Sequence, residues 1–193
     1  MKRQFRLGCL AVCLFLATAV FAQTRPAKEF QITRITRNFV STPQFTHTGA
    51  ESFPVDTRER WLQVEAEFTA APPITDELTI KYFVLFNGTV FTGEVTHTNV
   101  LPGRERRSAI YMPPRTVARF TTANRPLGPN SVQNIAVQIL QQGILKDELN
   151  LNRAPAQWYA SLPQVAGLLL NKNETPFAPL YWDRYEQIKS TAH

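Results

Sequence analysis

Cysteine is nearly missing from this 193-residue chain, and both copies, Cys9 and Cys13, fall within its first 22 residues. Beyond residue 22 no disulfide can form, and zinc sets built on thiolates are excluded. Histidine is scarce too: His47, His97 and His193 are the full complement, and no two stand at metal-ligand spacing. There is no GxSxG, no SxxK and no glycine-rich phosphate loop in a chain with only 8 glycines. Internal repeats, low-complexity tracts and long amphipathic helices are also lacking. These absences leave no visible nucleophile, metal centre or nucleotide cradle, and the expectation is a protein with no catalytic residues, no metal and no cofactor.

What is present begins with MKRQFRLGCLAVCLFLATAVFAQT. Lys2, Arg3 and Arg6 precede an apolar run from Gly8 to Ala22, and Val20-Phe21-Ala22 offers a cleavage site before Gln23. This is the pattern of a secretory signal peptide, with a run shorter than the ~20 residues a spanning helix needs. The expected product is an exported protein, periplasmic, surface-located or extracellular, and not integral to the membrane once cut. Three of the 21 basic residues lie in this leader, which leaves 18 against 15 acids. Export and so small an excess argue against nucleic acid as a partner.

Past a loose leader at 23–29, the chain reads as strands. FQITRITRNFV switches its alternation midway, as a bulged strand does. Residues 41–60 read as an extended, broken connection. WLQVEAEFTA sets Leu62, Val64, Ala66 and Phe68 against Gln63, Glu65 and Glu67, so one face is expected wet. In ELTIKYFVLFNG the second half is apolar on both sides, which predicts a covered central strand. Asn87-Gly88 predicts a tight hairpin into TVFTGEVTHTNV, where Gly93 reads as a bulge and His97 as exposed. RERRSAIYM, VQNIAVQILQ and ILKDELNL complete about seven strands, with one helical turn in PPRTVARF, a loop in TTANRPLGPNS and a Gln142-Gly143 turn. The fold class is therefore all-β: an antiparallel sandwich, immunoglobulin-like by strand count and length, with a barrel as runner-up. The expected organisation is a signal peptide over 1–22, the sandwich over 23–150, and a C-terminal aromatic extension over 151–193 packed on it.

That extension holds Trp158, Tyr159 and LYWDRYEQIK, in which Tyr181, Tyr185 and Ile188 stand at helical spacing behind Pro179. The expectation is extended chain followed by a short amphipathic helix. Glu65 and Glu67 share one strand face, as a glycosidase's carboxylates face a sugar, but alternating glutamates are also what any wet strand face displays. Asp147-Glu148 supplies too few oxygens for calcium. The candidate interaction residues are the arginines Arg104, Arg106, Arg107, Arg115 and Arg119 and the aromatics Tyr181, Trp182 and Tyr185, since arginine and aromatics concentrate at interfaces. Against this stands a plainer reading, in which acid-rich and arginine-rich strands are neighbours that cancel and the aromatics fill the core.

Taken together, WLQVEAEF, DELTIKYFVLFN, FTGEVTHTNVLPGR, YMPPRTVARF and LLLNKNETPFAPLYWDRYEQIK resemble a family of small exported proteins of verrucomicrobial bacteria encoded beside type IV pilus-like genes. The resemblance runs from about residue 30 to 189. It implies an immunoglobulin-like sandwich at the cell envelope that works with pilus-apparatus proteins or at the host-facing surface. The leader has no acid in its apolar run, so a pilin subunit of the ordinary type is excluded. A structural or accessory envelope protein is the leading expectation, and a carbohydrate- or mucin-binding surface module is the alternative.

Overall fold

The structure, a computed structural model, describes residues 28–45, 48–49, 56, 58–122, 127–128 and 130–190. The expected signal segment 1–22, His47, Arg125, His193 and residues 46–47, 50–55 and 57 of the connection over 41–60 lie outside the described residues. Among the described residues between 30 and 150 run seven strands: β1 (Phe30–Ser41), β2 (Arg60–Ala70), β3 (Thr75–Phe86), β4 (Thr89–Val100), β5 (Gly103–Met112), β6 (Val132–Gln141) and β7 (Ile144–Asn150). One short helix, α1 (Pro114–Arg119), follows β5, with Pro114 at its first turn where no N–H is needed. Two short strands, β8 (Gln164–Ala166) and β9 (Leu170–Asn171), follow later in the chain. One sheet has the order β1-β2-β5-β9 and the other β7-β6-β3-β4-β8. The protein is an all-β sandwich of two sheets.

Alternation builds the core. Leu62, Val64, Ala66 and Phe68 of β2 face Leu78, Ile80, Tyr82, Val84 and Phe86 of β3, and all are buried. β1 carries the expected irregularity, between Ile32 and Arg34. The hairpins turn at Asn87-Gly88 and Gln142-Gly143, each pair with positive φ at both positions. Phe83 and Leu85, on the far side of β3, are covered by Trp158 and Tyr159, and the Phe83 and Tyr159 rings stack at 3.7 Å. Residues of the extension thus cover the outer face of one sheet.

The extension then seals the open side of the sandwich, where β4 and β5 end their sheets. β8 pairs in parallel with Val90–Thr92 of β4, so the sheet is not wholly antiparallel as expected. Leu169 enters the main core, and β9 pairs with Ile110 and Tyr111 of β5. Farther on, Glu186 N–H donates to Arg107 O, Thr98 N–H to Gln187 O, and Lys189 N–H to Thr96 O. Both edges gain backbone partners, which protects them from pairing with another chain.

Three expectations about local structure are corrected. Residues 176–184 form successive turns rather than an amphipathic helix. Tyr185 and Ile188 are drawn to different places, the outer face of one sheet and the edge of β4, so no single helix face could hold both. Gly93 sits in unbroken register opposite Tyr82 and makes no bulge. A Cβ there would lie 2.6 Å from Ile110 Cδ1 and 2.9 Å from Leu169 Cβ, so glycine is needed to let Leu169 in. Gly93→Ala is accordingly expected to cost about 1–3 kcal/mol by overpacking, read as a fall in the urea midpoint at constant slope. An unchanged midpoint would mean that Leu169 moves aside freely. His97 is buried, not exposed, because the extension closes over the edge of β4.

Candidate functional site

The outer face of β1, β2 and β5 gathers the polar residues. Register sets Glu67 between Arg34 and Arg107, Glu65 between Thr36 and Ala109, and Gln63 between Asn38 and Tyr111. Acid-rich and arginine-rich strands are therefore neighbours, and Glu67 accepts from Arg34 at 2.6 Å and Arg107 at 3.0 Å. Burial alone would raise the Glu67 carboxyl, but hydrogen bonds to and the charges of these two guanidiniums hold it below its usual value.

The expected wet face is covered instead, because residues 172–185 fold over it. Glu65 is buried, accepting from Tyr185 OH at 2.7 Å and from Arg184 Nη2 at 3.0 Å. Gln63 Nε2 donates to the hydroxyls of Tyr111 and Tyr185. Burial, and then the hydrogen bond to Glu65, push the Tyr185 phenol up; burial takes Tyr111 up to about 12. Phe177 stacks on Tyr111 at 4.7 Å and meets Trp61 edge-on at 5.6 Å. These aromatics form a second apolar cluster outside the main core.

Beside this cluster lies a cleft of about 630 Å³, a size typical of small-molecule sites. Its floor is Thr36, Asn38, Gln63 and Glu65 of β1 and β2, and its wall is Lys172, Phe177, Tyr181, Arg184 and Tyr185. Lys172 opens a 3-10 turn, Lys172–Glu174, fixed by a capping box: Asn171 Oδ1 accepts from Asn173 N–H, and Glu174 Oε2 accepts from Asn171 N–H. The Lys172 residue is only 4% exposed.

The candidate residues separate on this frame. Arg106 and Arg107 are spent internally, Arg106 on Glu186 and Pro102 O, Arg107 on Glu65 and Glu67. Arg104, Arg115 and Arg119 are exposed; Arg119 lies over the Phe120 ring at 5.4 Å, away from the cleft. Tyr185 is half-buried in the Glu65 network, whereas Tyr181 and Trp182 are 65% and 79% exposed. Tyr181 holds φ at 51°, a costly conformation for a bulky residue. Lys172 was not among the expected residues, although the N-x-x-E spacing of Asn171 and Glu174 was a readable sign of the turn that places it. Among the described residues no group of three or more His, Asp or Glu side chains could hold a metal ion, and no helix is long and apolar enough to cross a membrane.

Fold and site together define a two-sheet all-β sandwich whose C-terminal extension builds a polar and aromatic cleft on one outer face. A crystal structure of a protein from Akkermansia muciniphila has the same fold, with a TM-score of 0.68 at 20% identity, over 88% of this chain and 98% of that one. A family profile matches residues 22–192, and the chain belongs to that family. No curated protein matches it.

Proposed function

We propose that this protein is a non-enzymatic, exported interaction component of the bacterial envelope, working beside type IV pilus-like machinery. The observation that carries the reading is the turn at Tyr181-Trp182. Its flanks are anchored by Phe177 and Tyr185, and its two large aromatics stand in solvent. Apolar side chains held out on an anchored turn lose little entropy on docking, and tryptophan and tyrosine are the common anchors of protein interfaces. The exposed guanidiniums Arg104, Arg115 and Arg119 supply further surface charge for a partner.

The test is a photoreactive residue in place of Trp182, crosslinked in intact cells of the native host, with Asn152 as a control position. The expected product is an adduct with a second envelope protein from position 182 and none from 152. Adducts of the chain with itself alone would overturn the reading.

A second reading, a carbohydrate-binding surface module, is favoured by the cleft. Thr36, Asn38 and Gln63 on a strand floor beside aromatic rings are the combination a sugar needs, polar at its hydroxyls and apolar at its ring faces.

A further inference from the structure

Lys172 is a buried cation that the fold itself leaves without a counterion. Its Nζ donates to Ala178 O at 2.6 Å and lies 5.6 Å from the centre of the Tyr185 ring. Among the described residues no carboxylate stands within ion-pairing distance of it, and an ammonium has three donors to place. A charge taken from water without a partner is costly, and burial accordingly lowers the Lys172 pKa below the usual lysine value. The sandwich did not need a lysine here for packing, since the stem alone would be served by methionine. The other cations of the cleft are paired, Arg34 with Glu67 and Arg184 with Glu65, and Arg107, which shares both carboxylates, also lies 3.7 Å from Glu105. Lys172 is the positive charge of the cleft that has no carboxylate partner among the described residues; the cleft's other charged groups, Arg34, Glu65 and Arg184, are in ion pairs.

We propose that this cleft takes a carboxylate-bearing sugar, a uronic or sialic acid, whose carboxylate pairs with Lys172. The proposal rests on the carbohydrate reading above. Thr36, Asn38 and Gln63 on the strand floor meet the hydroxyls, and Tyr181 at the rim offers its ring to the sugar's apolar face. An acidic peptide fits less well, because it would present several negative charges to a site with a single free positive one. A sugar acid carries one carboxylate per ring and matches that count. The exposure of Tyr181, held at positive φ beside the cleft, becomes useful rather than merely strained.

The experiment is titration of the purified protein, followed by amide chemical shifts, with glucuronate, N-acetylneuraminate, glucose, acetate and triaspartate as separate probes. The expected result is binding of at least one sugar acid, with shifts at residues 36–38, 63 and 172–185, at least about tenfold tighter than glucose and acetate. Lys172→Met should erase that tenfold preference. Should that variant not fold, Asn38→Asp, which adds a negative charge at the exposed floor, should weaken sugar-acid binding about tenfold more than it weakens glucose binding. Equal binding of glucose and glucuronate would overturn the proposal while the carbohydrate reading stands. No binding by any sugar would end both. Triaspartate or acetate binding as tightly as glucuronate would assign the cleft to a simple anion or an acidic peptide and overturn the proposal.

Discussion

Removal of residues 175–193 is expected to lower the stability of the sandwich by several kcal/mol, and removal of everything from residue 164 onward to abolish cooperative folding. The shorter deletion takes away Phe177, which fills the space beside Trp61 and Tyr111, and the half-buried Tyr185 and Ile188. It also removes the backbone donors and acceptor at 186–189 that satisfy Arg107, Thr96 and Thr98. Truncating a large core side chain costs about 2–5 kcal/mol, against a net stability of about 5–15 kcal/mol for a whole domain. The longer deletion adds the loss of Leu169 from the main core and of the β8 and β9 pairings, which uncovers the edges of both sheets at once. Urea unfolding followed by fluorescence checks both. Equal midpoints and slopes for the shorter deletion and the full chain would mean that the extension contributes nothing to the fold and is free for a partner.

The sandwich was legible because its signals are local. Period-two alternation in β2 and β3, the Asn87-Gly88 and Gln142-Gly143 turns and the phase switch in β1 each depend on a handful of adjacent residues. The extension was not legible for the converse reason. Tyr181, Tyr185 and Ile188 have helical spacing, yet their positions are decided by partners more than ninety residues away, Ile188 at His97 and Tyr185 at Glu65. Tertiary demand overrode a short local pattern. Glu65 and Glu67 show the same limit: alternation places them correctly on an outer face, but nothing in that strand says that a distant segment covers it. The arginines divided by register. Arg107 faces Glu67 across the ladder and is consumed there, whereas Arg115 and Arg119 lie on a one-turn helix with no strand opposite. Lys172 could have been found from its capping box, but its significance lies in the lack of a counterion, which is a fact about space.

Acid is expected to loosen the extension through His97. Its ring is 1% exposed, enclosed by β4, β5 and the final segment. Nδ1 lies 3.2 Å from Glu186 O and Nε2 2.7 Å from Ser108 Oγ. A carbonyl oxygen only accepts, so the proton sits on Nδ1, and Nε2 accepts from the serine hydroxyl. Burial lowers the His97 pKa from the ordinary 6.5 to about 4, against a smaller upward pull from the backbone at Glu186 and Gln187. The folded state thus binds this proton more weakly than the unfolded state. The stability His97 confers is complete above pH 6.5 and is lost as pH falls, by about 2 kcal/mol at pH 5 and about 3 kcal/mol at pH 4. The charged neighbour is Glu186, paired with Arg106; burial raises its pKa, so its titration favours the folded state in acid and opposes the effect. Glu67, held low, adds to the loss only below its ordinary value near 4.5. As pH falls, His97 and Glu186 therefore act in opposite directions. Comparing His97→Gln with the parent by urea unfolding from about pH 6.5 to 5 isolates the histidine, because both proteins keep Glu186: the parent should lose stability relative to the variant as pH falls. Protection factors, the exchange rates corrected for the intrinsic slowing of amide exchange in acid, should fall first at Thr98 and Lys189 as pH falls, because those bonds close the segment over the ring. Parallel curves for parent and variant would show that His97 takes up its proton without cost and that the edge of β4 is open to water.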